Sequence, residues 1–350
     1  MSLLQVRIAF MPVRTRRALA VMGVVGVLAA IALGSGGPAP GRGSPTFGSA
    51  APAGAPAERG IVLTYDDLPA NLFRPTDELY ATVTRDLLAG LARHGIPAIG
   101  FVNESKLYVG GELSPLRVGL LRAWIEAGLE LGNHTYSHPD LHATDLPEFQ
   151  ADVLRGERVT RELLADVGRV PRYFRHPFLR TGRSLEVRDA FEAFLAEHGY
   201  RVAPVTIDNH EWIYARAYDH ALARGDRALA DRIASAYLAY MDRVVAYYED
   251  QSRALTGREI PQVLLLHANR LNAATTDGLV EMLEERGYAF VGLDEALEDP
   301  AYDLPDEFTG SGGITWIHRW ALTRAERGEF FAGEPEADPF VVAVFEAPPP

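Results

Sequence analysis

The residues best suited to chemistry are two histidines four positions apart, His134 and His138, and a pair of adjacent acids, Asp66 and Asp67. Imidazole nitrogens are good ligands for zinc and neighbouring metals, and a carboxylate commonly completes such a set. A catalytic metal site stops at three protein ligands and leaves one position open for water. Histidine pairs at this spacing are also common on surfaces and in cores, so the interpretation depends on the rest of the chain.

Composition narrows the possible functions. The chain has 350 residues and is 47% hydrophobic, enough for one large or two small globular domains. Residues 1–59 hold six of the 34 basic and one of the 47 acidic residues, which leaves 28 basic against 46 acidic residues, a net charge of −18. Such a surface disfavours binding to nucleic acid or anionic lipid. The only lysine, Lys106, is interpreted as a consequence of genomic composition bias.

The absence of cysteine has two consequences. The chain can form no disulfide, so its stability must come from the core. A metal site must use histidine, aspartate or glutamate as ligands.

The N-terminus has the layout of a secretory signal. Arginines at positions 7, 14, 16 and 17 precede an apolar run from Ala18 to Leu33. We predict a signal peptide at residues 1–34, with an uncleaved N-terminal anchor as the alternative. Residues 35–59 are rich in Gly, Pro and Ala and predict a flexible linker. The protein is therefore expected to be exported, and to be periplasmic, secreted or attached to the outer face of the inner membrane.

From residue 60 onward, predicted strands alternate with predicted helices. The strands are predicted at 61–65, 98–102, 129–133, 173–175, 201–206, 263–266 and 289–291, and the helices at 77–94, 115–127, 147–167, 184–198, 275–286 and 293–297. This alternation indicates parallel β/α architecture, either a barrel or an open doubly wound sheet. No glycine-rich phosphate-binding motif follows the first strand, so nothing in the pattern suggests a nucleotide.

Polar residues cluster just after the ends of the predicted strands. In a β/α barrel these ends meet on one face, where active sites lie. Five strand ends contribute to this set, which favours the barrel over the open sheet: Asp66, Asp67, His134, His138, Arg175, Asp208, Glu211 and His267.

Two segments lie outside the alternating pattern. Residues 213–261 form a helical insertion before the sixth strand, with Tyr237, Tyr240, Met241, Val244 and Tyr248 on one face. The insertion is either a helical hairpin packed on the barrel or a wall of the cleft that offers aromatic rings to sugars. The C-terminal extension, residues 301–350, contains a Trp-rich segment at 314–320 that either lines a groove or packs on the barrel.

Five segments, in chain order, resemble the motifs of polysaccharide deacetylases, the family with the NodB homology domain known as carbohydrate esterase family four. They are TYDD at 64–67, HTYSH at 134–138, RHPF at 175–178, DNHEW at 208–212 and LLH at 265–267. The resemblance covers residues 60–299. It implies a distorted seven-stranded (β/α) barrel of α/β class at residues 60–300, with the helical insertion before its sixth strand.

The resemblance also implies roles for the acids and histidines. Asp67, His134 and His138 would bind a divalent metal, expected to be Zn²⁺, which lowers the pKa of a bound water and polarises the acetyl carbonyl. Asp66 would be the general base, and Arg175 would pair with it.

The remaining roles concern the leaving group and the acetyl group. His267 would protonate the departing amine, with Asp208 as the preferred carboxylate partner and Glu211 as the other candidate. The backbone N–H of Phe178 would stabilise the oxyanion. An apolar seat for the acetyl methyl would come from Leu266 and Trp212, which could equally be core residues.

Several positions depart from the family pattern. Leu68 stands where a glycine is usual, His176 replaces a small residue or proline, Phe178 replaces tyrosine, and Glu211 replaces a second aspartate. The catalytic side chains are intact, but the rim is altered, so the substrate need not be a standard chitin or peptidoglycan chain.

The sequence therefore predicts a metal-dependent hydrolase that removes N-acetyl groups from N-acetylglucosamine-containing glycans of the cell envelope or environment. One alternative is a hydrolase of the same fold that acts on another small amide or formyl group. The other is a catalytically inactive carbohydrate-binding protein, which the presence of Asp66 and His267 disfavours.

Overall fold

The computed structural model describes residues 59–348. The segment predicted as signal or anchor, 1–34, lies outside the described residues, as does the predicted linker except for Arg59, which begins the first strand. Within the described range, no helix combines the length and apolar character needed to cross a bilayer.

Seven strands form one parallel sheet, and two short strands form a separate antiparallel hairpin. In chain order they are β1 (Arg59–Leu68), β2 (Ile99–Val102), β3 (Tyr108–Val109), β4 (Glu112–Leu113), β5 (Glu130–Asn133), β6 (Tyr173–Phe174), β7 (Arg201–Val202), β8 (Gln262–His267) and β9 (Tyr288–Phe290). The order within the sheet is β7-β6-β5-β2-β1-β8, and β9 also pairs with β1.

The sheet curls until its two ends meet. Ala203, just after β7, still donates its backbone N–H to Phe174 of β6 at 2.8 Å. The chain then turns, and Ile207 forms an isolated parallel bridge with Leu264 of β8. The predicted barrel is therefore confirmed as a curled parallel sheet. The strand predicted at 201–206 is shorter than expected, because the chain changes partners between residues 203 and 207.

Helices cover the outside of this sheet. They are α1 (Asp77–His94), α2 (Pro115–Glu126), α3 (Leu146–Arg155), α4 (Arg158–Ala165), α5 (Leu185–Glu197), α6 (Glu211–Ala223), α7 (Arg227–Thr256), α8 (Arg270–Glu285), α9 (Leu293–Ala296), α10 (Trp316–Thr323) and α11 (Pro339–Glu346). Side-chain N-caps fix several starts: Thr76 accepts the N–H of Leu79 at α1, and Asn269 accepts that of Asn272 at α8.

The single helix predicted at 147–167 is wrong, because the structure has two helices, α3 and α4, separated at Gly156. A Cβ on Gly156 would lie 2.3 Å from the carbonyl carbon of Thr135, so only glycine lets the chain pass this close. The buried Glu104 then accepts the N–H groups of Val159 and Thr160 and supplies the second helix with a cap from another part of the chain.

The helical insertion is confirmed as a hairpin of α6 and α7. Its predicted tyrosine face is buried, with Tyr237 0% and Tyr240 and Tyr248 each 1% exposed. These rings therefore pack in the interior and do not offer their faces to a cleft. The Trp-rich segment also packs in the interior, since Trp316 and Trp320 of α10 are buried.

Candidate active site

Asp66 and Asp67 lie just before the end of β1, and β5 ends directly before His134. All three residues therefore lie at the same edge of the sheet. Oδ1 of Asp67 is 3.9 Å from Nε2 of His134 and 3.9 Å from Nε2 of His138. The donor atoms of the three residues lie within 4.8 Å of one another. One carboxylate and two imidazoles form a donor set that fits a divalent metal such as zinc.

The backbone just after β6 orients the ring of His134. Its Nδ1 lies 2.8 Å from the carbonyl oxygen of Arg175, which can only accept, so Nδ1 carries the proton. The lone pair of Nε2 therefore points into the cluster, as a metal ligand requires. Burial lowers the pKa of His134 well below its usual value and keeps the ring neutral.

The loop that carries the histidines is held in an uncommon backbone conformation. Thr135 and His138 have φ of 67° and 59°. The side chain of Asn133 accepts the N–H of Thr135 at 2.7 Å, and Thr135 Oγ1 accepts that of His138 at 2.9 Å. Asp152 accepts the backbone N–H groups of the two residues between them, Tyr136 and Ser137. This bonding restrains the backbone that carries both imidazoles.

We expect Gly156→Ala to loosen this loop. Its new Cβ would meet the backbone of Thr135 and Tyr136 at 2.3 Å, so the variant should lose about 1–3 kcal/mol of unfolding free energy. Gly119→Ala is the matched control, because a Cβ there meets nothing within 4 Å and alanine favours a helix. Chemical denaturation measures both variants, and equal stability of the two would contradict this account of the loop.

Asp67 itself is held by two further groups. Asn71 Nδ2 donates to Oδ2 at 2.7 Å, and Lys106 Nζ lies 3.4 Å from Oδ1 and 3.0 Å from the backbone oxygen. Burial alone would raise the pKa of Asp67, but the neighbouring positive charge, above all that of Lys106, outweighs it and holds the pKa far below its usual value. Sequence reasoning missed Lys106, which had been interpreted only as a sign of composition bias.

Asp66 lies beside the cluster and faces Arg175, as predicted. Arg175 Nη1 is 3.5 Å from Asp66 Oδ1, and Nη2 donates to Thr64 Oγ1 at 3.0 Å. Both side chains are buried, at 4% and 0% exposure. Burial raises the pKa of Asp66 to about 6, with Arg175 opposing that rise. A carboxylate with this pKa can accept a proton near neutral pH.

His267 stands opposite Asp66 in the register of β1 and β8. Its Nδ1 lies 2.8 Å from Oε2 of Glu211. Burial would lower the pKa of His267, but the hydrogen bond and charge of Glu211 raise it to about 9. The side-chain amides of Asn269 and Asn272 donate to the other oxygen of Glu211, so the carboxylate is fixed from behind.

The preference for Asp208 as the partner of His267 is wrong, since Glu211 takes that place. Glu211 is the first residue of α6, where the helix dipole favours a carboxylate. Asp208 accepts the backbone N–H of Asn209 at 2.8 Å, and its charge acts on Asp66 and Arg175. Asp208 thus belongs to the surroundings of Asp66 and Arg175.

Leu266 does not face the site. Side chains alternate along a strand, so Leu265 shares the inner face of β8 with His267 and with Val263 of the interior core. Leu266 lies on the other face with Gln262, which donates to Ser252 of α7. The prediction that Leu266 borders the site is therefore wrong, and Leu265 is the leucine on the face of His267.

The last two predicted residues differ in where they lie. The ring of Phe178 is 4.5 Å from that of His138, and its peptide has a left-handed φ of 56°. The ring of Trp212 lies 5.3 Å from Phe345 of α11, a contact that assigns it to packing with the C-terminal helix. Phe178 is therefore at the site, and the structure favours the packing alternative for Trp212.

The fold and site define a (β/α)-barrel protein with a candidate metal centre at the carboxyl ends of its strands. The polysaccharide deacetylase family matches residues 53–203. The chain is 28% identical over 154 residues to a chitooligosaccharide deacetylase of Bradyrhizobium sp. (strain ANU 289), covering 44% of this chain and 59% of that protein. It is 22% identical over 242 residues to the peptidoglycan-N-acetylglucosamine deacetylase PgdA of Listeria monocytogenes, covering 69% and 39%. The predicted resemblance to the polysaccharide deacetylase family is thus confirmed for residues 53–203.

Among solved structures, the chitin deacetylase from the fungal pathogen Colletotrichum lindemuthianum is 21% identical, with a TM-score of 0.45 and coverage of 69% of this chain and 88% of that one. The chain spans 59% of the first of these curated relatives and 39% of the second.

Proposed function

We propose that this protein is a metal-dependent hydrolase that removes N-acetyl groups from N-acetylglucosamine-containing glycans. The observation that carries the proposal is the placement of Asp66 and His267 on adjacent strands beside the Asp67, His134 and His138 cluster. Their pKa values, about 6 and about 9, leave one an acceptor and the other a donor at neutral pH. A deacetylation needs one of each.

Asp67, His134 and His138 would hold the metal. A bound divalent ion supplies Lewis-acid polarisation of the acetyl carbonyl and a lowered pKa for water. Two neutral imidazoles and one carboxylate, in a chain without cysteine, favour zinc.

The protein's own groups move the protons. Asp66 accepts a proton from the attacking water as the new C–O bond forms, and the carbonyl oxygen becomes negative. The backbone N–H of Phe178, a residue whose ring lies beside that of His138, is the candidate donor to that oxygen. His267 then gives its Nε2 proton to the amine nitrogen as the C–N bond breaks, which releases acetate and a free amino sugar. Its Nδ1 stays bonded to Glu211, which keeps the ring charged until that step.

The proposed substrate class follows from the relatives, which are named as chitooligosaccharide and peptidoglycan deacetylases. We infer that the protein meets such glycans after export, in the periplasm, outside the cell or on the outer face of the inner membrane. The signal-like pattern of residues 1–34 supports that location.

Acetate release across a panel of glycans tests the proposal. Acetylated chito-oligosaccharides and peptidoglycan fragments should release acetate, and metal analysis of the same preparation should find about one divalent ion per chain. Release of formate or another acid from non-acetyl amides, without acetate, would favour the alternative hydrolase. Glycan binding without any release would favour a binding protein and contradict the proposal.

The partner of His267 has its own signature in the pH profile. His267 must be protonated to act, so activity falls as pH rises through its pKa. Glu211→Gln removes the charge that raises this pKa while keeping an oxygen for Asn269 and Asn272, so the alkaline limb should move to lower pH.

Asp208→Asn is the matched control for this shift. Its charge raises the pKa of Asp66, so the variant should move the acid limb slightly to lower pH and leave the alkaline limb in place. Profiles of kcat/KM against pH measure both limbs. An alkaline limb that responds to Asp208→Asn instead of Glu211→Gln would restore Asp208 as the partner.

A further inference from the structure

Lys106 lies against the candidate metal centre although the proposed chemistry does not use it. Its Nζ is 3.4 Å from Oδ1 of Asp67, closer than Nε2 of either His134 or His138, each at 3.9 Å from the same oxygen. The lysine and the two histidines therefore converge on one oxygen atom. A metal ion bound by these ligands would have to share that atom with an ammonium group.

The backbone around Lys106 is fixed to the rest of the site. Lys106 belongs to the single turn Glu104–Leu107, whose Ser105 donates its N–H to Tyr136 of the histidine loop at 3.0 Å. Arg117 Nη1 donates to the backbone oxygen of Lys106 at 2.9 Å. The side chain is 25% exposed. This lysine is thus built into the centre and is not a mobile surface group.

Charge explains why a cation belongs here. Asp66 is buried, and its neighbour Asp67 has only 13% of its side chain exposed. A carboxylate removed from water in this way is costly unless a positive group compensates it. Arg175 faces Asp66, and Lys106 faces Asp67. The same ammonium repels a second cation a few ångströms away, so it opposes the entry of a metal ion.

We propose that Lys106 is the resident counter-ion of the metal-free protein and competes with the divalent metal for Oδ1 of Asp67. It stabilises the two acids before metal binds and weakens metal binding in return. The inference rests on the metal centre of the proposed function, but it predicts metal affinity and stability and does not depend on which glycan is deacetylated.

Lys106→Met tests the competition, because methionine is similar in length and uncharged. Zn²⁺ titration against a chromophoric chelator should show a dissociation constant lower by about tenfold or more. The metal-free variant should melt at a lower temperature than the wild type, so the rise in Tm on adding Zn²⁺ should be larger. Lys106→Arg keeps the charge, and its affinity should stay near that of the wild type. Unchanged or weaker Zn²⁺ binding by Lys106→Met would overturn the proposal.

The wild-type protein provides a second test that needs no variant. Since Lys106 is the only lysine, selective isotope labelling of lysine gives one side-chain signal by NMR. Zn²⁺ should shift that signal, because Nζ loses its contact with Asp67 Oδ1, and an unmoved signal in the loaded protein would contradict the inference. If the wild type binds no divalent ion, the proposed function fails as well. If it binds Zn²⁺ and Lys106→Met binds no tighter, only the competition fails.

Discussion

His134→Ala is expected to lose both bound metal and activity. The ring is 2% exposed, its Nδ1 is bonded to the backbone of Arg175, and its Nε2 faces Asp67. Its removal leaves only two of the three donors of the candidate centre. With three ligands in a chain without cysteine, there is little redundancy. The loss of turnover should exceed the roughly 10–100-fold cost of removing a group that only supports a ligand.

Two measurements test this expectation for His134→Ala: metal content by elemental analysis, and turnover with added Zn²⁺. His142→Ala is the matched control, because His142 follows His138 by four residues and its Nε2 accepts the N–H of Gly182 outside the cluster. That variant should retain its metal. Stoichiometric metal and near wild-type turnover in His134→Ala would show that the site has been assigned to the wrong residues.

The convergence of the two acids with His134 and His138 could be predicted because it follows from the topology of the sheet. The carboxyl ends of parallel strands meet on one face, so acids after the first strand and histidines after the third must approach one another. The helix pattern of α1 was equally local, and its predicted bounds match the structure. Predicting these features requires only the hydrophobic period of the sequence and the direction of the strands.

The predictions that were wrong depend on features that no local sequence pattern contains. The choice between Asp208 and Glu211 depends on where α6 begins, which sets the direction of a side chain within one turn. Trp212 depends on a contact with Phe345, far along the chain, and no local pattern contains it. The break at Gly156 likewise arises from the approach of the histidine loop.

Two further features of the sequence could have predicted the positions of Leu265 and Lys106. The alternation of side chains along a strand already places Leu265, and not Leu266, on the face of His267. A single lysine in a chain with 34 basic residues is also a candidate for a specific role, and its position after the second strand end agrees with the rule that located the other groups.

Asp66→Asn should separate chemistry from metal binding. Asparagine has nearly the shape of aspartate and still presents an oxygen to Arg175, but it cannot take a proton from water. Metal content should therefore persist while kcat falls by about 10²–10⁴-fold, the range typical of a lost general base. The acid limb of the pH profile, set in the wild type by a group whose pKa burial raises to about 6, should disappear from the residual activity.

Asp67→Asn is the matched partner, since the two acids are adjacent and both lie near His134 Nε2, with Asp66 Oδ2 at 3.7 Å and Asp67 Oδ1 at 3.9 Å. Asp67→Asn should lose metal together with activity, because a neutral amide is a poor ligand beside two imidazoles. Elemental analysis and single-turnover acetate release on both variants distinguish the roles. If Asp66→Asn lost the metal and Asp67→Asn kept it, the two aspartates would have exchanged duties, and the base would be the residue that faces Lys106.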